Sequence, residues 1–116
     1  MQAYVASWAV AFAVTQAVEA PIYARAIGAP YRRAFAIGFG ASLLTHPPLW
    51  FVIPRYVEWG PTTWAVSEVA VTLVEAAWLW TMGAADRSPT RVLGLAVIAN
   101  GASILVGEFL RLFVDF

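Results

Sequence analysis

The chain has 116 residues, 61% of them hydrophobic and 12% charged, with a mean hydropathy of +0.72. A water-soluble domain of this length has too little interior to hide so much apolar surface, so lipid is the expected solvent. Seven arginines, no lysine and seven acids give zero net charge, which leaves no basic face and excludes nucleic acid as a partner. The absence of cysteine removes disulfides, thiolate metal sites and thiol redox chemistry.

A helix that crosses a bilayer needs about 20 mainly apolar residues, and the chain supplies four such runs. The expected fold is therefore an all-α integral membrane protein, a four-transmembrane-helix bundle forming one domain over residues 1–116. The first run, about 3–24, carries Thr15, Gln16 and Glu19 at helical spacing on one face. It lacks a basic leading segment, and Pro21 follows its one reasonable alanine cleavage site, so it reads as a retained helix rather than a signal peptide. Gly28, Pro30, Arg32 and Arg33 mark a loop.

The second run, about 34–53, contains Thr45-His46-Pro47-Pro48. Proline removes a backbone donor and clashes with the preceding turn, so a kink or break is expected there, with freed carbonyls beside His46 lining a wet cavity. After the loop Pro54 to Pro61, the third run, about 62–82, places Glu68 and Glu75 seven residues apart on one stripe. Gly83 to Arg91 forms the next loop, and the fourth run, about 92–114, carries Asn100, Ser103 and Glu108. Every connection is short, so successive helices should be antiparallel neighbours.

Arginine placement sets the expected topology, because loops on the cytoplasmic side retain positive charge. Arg25, Arg32, Arg33, Arg87 and Arg91 fall on one side, Arg55 and Arg111 on the other. Both termini are expected outside, in a multi-pass protein of a bacterial inner membrane. Tyr4, Trp8, Trp50, Tyr56, Trp59 and Trp64 gather toward the outer boundary, and Tyr23, Tyr31, Trp78 and Trp80 toward the inner one, where aromatic rings anchor helices at the headgroups.

The runs also resemble one another. Ala13-Val14-Thr15 and Val18-Glu19-Ala20 in the first match Ala70-Val71-Thr72 and Val74-Glu75-Ala76 in the third, with one residue fewer between the strings. Gly40-Ala41-Ser42-Leu43-Leu44 in the second matches Gly101-Ala102-Ser103-Ile104-Leu105 in the fourth. This pattern suggests two tandem helical hairpins related by an axis along the membrane normal, against the alternative of coincidence among common membrane residues. Small residues let backbones approach, so Ser42 and Ser103 read as packing residues that bring the second and fourth helices together at the bundle centre.

Glu19, His46, Glu68, Glu75, Asn100 and Glu108 do not belong in lipid. A carboxylate at mid-membrane costs about 2.5–3.5 kcal/mol on insertion scales, so such groups face the bundle interior and mark sites or pathways. Counting helix rise from the arginine-rich loops puts Glu19, Glu75 and Asn100 at roughly 9–14 Å and His46, Glu68 and Glu108 at roughly 20–26 Å, an inner and an outer polar site. Thr15, Gln16, Thr45 and Ser103 are expected to line the seam between them. If the hairpins are repeats, Glu19 and Glu75 meet across the axis, and such a carboxylate pair retains one proton or cation between them.

His46 reads first as a neutral side chain hydrogen-bonded to Glu68 or Glu108. The alternatives are a divalent metal held with two carboxylates, or a haem or chlorophyll ligand; no ligand-spacing motif accompanies the single histidine, so no cofactor is expected and metal binding stays open. No phosphate loop, His-Glu-x-x-His or serine-histidine pairing points to an enzyme. Mutual satisfaction of the polar groups is one reading of the seam. Interhelical hydrogen bonds in membranes average only about 0.6 kcal/mol, too little to explain four glutamates by stability alone. The expectation is a small proton or cation transporter or channel, acting as a homo-oligomer. The competing reading is a non-catalytic accessory subunit that docks a larger membrane complex.

Overall fold

Four long helices form where the four apolar runs lie, and each ends where its sequence stops supporting a helix. In the computed structural model, which describes residues 2–84 and 86–116, these are α1 (Gln2–Ile27), α2 (Tyr31–Phe51), α4 (Pro61–Met82) and α5 (Pro89–Arg111), with a one-turn α3 (Ile53–Tyr56) after α2. No strand occurs among the described residues. Gly28 stops α1 with a positive φ of 96°, its N–H donating to the Ala24 carbonyl at 3.0 Å. Pro61 and Pro89 open α4 and α5 at a position where the missing N–H costs nothing, and the Ser88 hydroxyl caps α5 by accepting from the Arg91 N–H at 3.3 Å.

All four are long and apolar enough to span a membrane, α2 with its α3 extension counting as one span. The bundle measures 41 × 27 × 21 Å, its long axis matching the roughly 40–45 Å of a bilayer with headgroups. A kink or break is expected from sequence at Pro47-Pro48; no break occurs there, and the helix continues to Phe51 and is interrupted at Val52.

The helices pack in a ring. α1 touches α2 and α5, and α4 touches the same two, so α1 lies diagonally opposite α4, and α2 opposite α5. Successive long helices are neighbours, as expected, whereas α2 and α5 do not pack on each other. The small residues work elsewhere: Ala20, Ala24, Ala34 and Ala41 are buried, and a Cβ added to Gly38 would sit 2.9 Å from the Tyr23 Cβ, so α1 and α2 touch almost backbone to backbone. Gly101, by contrast, faces open space. Trp78 bridges α4 to α2, its indole N–H donating to the Ile37 carbonyl at 2.9 Å.

Toward the arginine-rich end the ring is filled by a core of Tyr23, Ile37, Leu79, Val92, Ala96 and Ala99. Arg33 donates to the Met82 carbonyl at 3.2 Å, tying the start of α2 to the end of α4 at that end. The outer surface carries Val66, Val69, Leu73, Ile98, Leu105 and Phe109, all exposed, while Glu19, Glu75, Ser42, Thr45, Asn100 and Gln16 are buried. The bundle is apolar outside and polar at its centre.

Candidate functional site

Glu19 on α1 and Glu75 on α4 reach the bundle axis from diagonal corners, each only 1% exposed. Both side chains line one central cavity. Four hydroxyls serve the two acids. Ser42 on α2 and Ser103 on α5 donate to Glu19 at 2.7 and 2.6 Å. Tyr23 on α1 and Thr45 on α2 donate to Glu75 at 2.8 and 2.9 Å. Asn100 adds its amide, which donates to the Tyr23 hydroxyl at 3.3 Å and to Glu75 at 3.4 Å. All these donors are neutral; among the described residues the only ion pair is Arg111–Glu108, at 3.0 Å near the outer end. Each of the four long helices contributes a side chain, so the site exists only when the whole ring is assembled.

Because α1 and α4 do not pack on each other, space remains between them. It forms a cavity of about 530 Å³. Its deep end is formed by Glu19, Glu75, Thr45 and Asn100; its wall carries Thr15, His46, Glu68 and Ser103; its mouth lies among Trp59, Trp64, Glu108 and Arg111, at the end of the bundle holding the α3–α4 connection. The fully buried Tyr23 and Leu79 lie below the acids and stop it from continuing toward the arginine-rich end. The polar centre is a vestibule whose lining extends from the paired acids to the α3–α4 end of the bundle.

The inner set expected from sequence is brought together: Asn100 donates to Glu75 at 3.4 Å, and Glu19 lines the same deep end of the cavity. The outer set is not. His46 and Glu68 in the vestibule wall and Glu108 at its mouth do not bond to one another. His46 Nε2 lies 3.3 Å from Thr15 Oγ1, and its ring stacks near Trp50 and Phe12, so the expected bond to Glu68 or Glu108 is replaced by a contact between α1 and α2. The physical reason is the ring order, which puts α2 beside α1 on the His46 face. Glu108 is exposed and pairs with Arg111 one turn along its own helix. No three His, Cys, Asp or Glu side chains among the described residues converge as a metal-binding group.

Of the seam residues, Thr15, Thr45 and Ser103 line the vestibule. Gln16 turns away and donates to the Phe39 carbonyl at 3.0 Å, holding α1 to α2. Two members of the site were read differently from sequence. Tyr23 is not an interfacial anchor but fully buried, and Ser42, taken as a packing residue, is a hydroxyl donor to Glu19. The signal for Ser42 lay in its alignment with Ser103. For Tyr23 it lay in the spacing of four from Glu19, which sets both on one face of α1.

The ring order is the one that a two-fold axis relating α1–α2 to α4–α5 would generate. Tyr23 and Leu79, each four residues past its glutamate, are both fully buried. The hydrogen bonding is asymmetric, since both serines serve Glu19 where a strict repeat would give one to each acid.

Four helices of spanning length around a buried acidic centre suggest the class of multi-pass membrane bundles. Within that class, comparison with protein-family models, curated proteins and solved structures gives no match to this chain.

Proposed function

We propose that the protein lies in a membrane and binds and carries protons or another cation through the vestibule to the Glu19–Glu75 pair. The observation that carries this reading is the cavity itself: an acidic passage ends on two carboxylates whose hydrogen-bond donors are all uncharged. Two adjoining carboxyl groups without a cationic partner cannot both be ionised in a poorly solvated centre without strong repulsion. A proton or cation between them supplies the missing charge.

The apolar exterior supports the membrane setting, since water would penalise Val, Leu, Ile and Phe side chains that lipid accepts. In this reading lipid is the immediate partner, the five-arginine end faces the cytoplasm, both termini lie outside, and the vestibule opens outward. A bacterial inner membrane and assembly of several copies complete the proposal.

Purified protein in liposomes, with an imposed gradient and an internal pH or cation indicator, tests it. Flux should fall at least tenfold in Glu19→Gln and in Glu75→Gln. An absence of flux under proton, sodium and potassium gradients, together with a stoichiometric co-purifying membrane partner, would replace transport with the accessory-subunit reading.

A further inference from the structure

The vestibule is larger than its proposed task requires if the cargo is a bare proton or a metal ion. A proton needs a file of a few waters, and a metal ion needs its ligands. A volume of about 530 Å³ would hold roughly 18 waters at about 30 Å³ each. It falls inside the roughly 300–1,000 Å³ range of small-molecule sites.

The lining matches that size. Tyr4, Trp50, Trp59 and Trp64 bring aromatic surface to the mouth, and Glu68 stands between them and the paired acids below. Rings attract a cation through their electron-rich faces and an apolar body through burial, whereas carboxylates attract only the charge. Arg111, the one arginine in the lining, is already paired to Glu108. An anion would meet four glutamates with no free positive partner. A neutral molecule would leave those acids without a counter-charge.

We infer that the vestibule is a binding site for a monovalent organic cation with an apolar or aromatic body, such as a quaternary ammonium or phosphonium ion. The body sits among the mouth aromatics and the charge faces Glu68 and the acids beneath it. This inference rests on the cation-carrying reading above and names its substrate class.

The test uses two tetrahedral aryl ions of nearly equal size and opposite charge, tetraphenylphosphonium and tetraphenylborate, titrated into the detergent-solubilised full chain by calorimetry and tryptophan fluorescence. Tetraphenylphosphonium should bind saturably at one per chain, and tetraphenylborate should show no saturable binding. Among the described residues the Glu68 carboxyl makes no hydrogen bond, the Thr72 hydroxyl bonding only its backbone carbonyl, so Glu68→Gln should fold normally and weaken tetraphenylphosphonium binding about tenfold. Trp64→Ala should weaken it by a similar factor. Equal binding of both ions would reduce the vestibule to an apolar sink and overturn the proposal; so would unchanged affinity in Glu68→Gln. Proton or potassium flux in liposomes without tetraphenylphosphonium binding would overturn the organic substrate and leave cation transport standing. Binding without any flux would support the site and overturn transport.

Discussion

Tyr23 marks the floor of the vestibule, and two of its properties can be separated by substitution. Its ring fills the core beside Ile37 and Leu79, while its hydroxyl links Glu75 to Asn100. Interhelical hydrogen bonds in membrane bundles are worth about 0.6 kcal/mol on average and about 1.7 at most, whereas emptying a buried aromatic site costs about 3–5 kcal/mol. Tyr23→Phe should therefore lower the thermal denaturation temperature in detergent slightly, and Tyr23→Ala should lower it several times as much. Equal losses would mean that the hydroxyl network, not the ring, holds this end together. Sequence alone placed Tyr23 at the headgroups because an aromatic near the end of an apolar run is usually an anchor. The helix runs on to Ile27 and carries the ring one turn deeper.

At the scale of elements, the α1–α2 contact is the most extensive in the bundle. An added Cβ on Gly38 meets the Tyr23 Cβ and the Ala20 carbonyl oxygen at 2.9 and 3.1 Å, atoms that move only if the helices move. Overpacking of this kind costs about 1–3 kcal/mol. Gly38→Ala should destabilise the bundle by that amount in a thermal or denaturant melt, while Gly101→Ala, with nothing within 4 Å of the new Cβ, should be tolerated. The repeat drew attention to Gly40 and Gly101. Similarity between segments shows where small residues recur, but not which face of each helix meets a neighbour.

At the scale of the whole molecule, the arginine asymmetry and the one-sided vestibule make a single topological prediction. The chain has no cysteine, so single-cysteine variants carry no background. In intact cells a membrane-impermeant maleimide should label Val57→Cys, at the vestibule end, and should label Asp86→Cys only after permeabilisation. The reverse pattern would turn the vestibule toward the cytoplasm. The same assembly gives α4 and α5 exposed apolar faces of the kind lipid accepts, while the polar groups of the acidic centre are hidden.

The sequence by itself determined the four helices, their antiparallel order, the charge difference between the two ends, and the inner layer of Glu19, Glu75 and Asn100. These follow from run length, charge placement and rise per residue, which are properties of one helix at a time. Only the tertiary structure decided that α1 stands opposite α4, that His46 turns to Thr15 instead of the outer glutamates, that Ser42 and Tyr23 belong to the acidic centre, and that a vestibule remains between the diagonal helices. Those outcomes depend on how each helix is rotated about its own axis and which neighbour it meets. Close packing at Gly38 and hydrogen bonding at Glu19 and Glu75 fix that choice, through contacts between residues far apart in the chain.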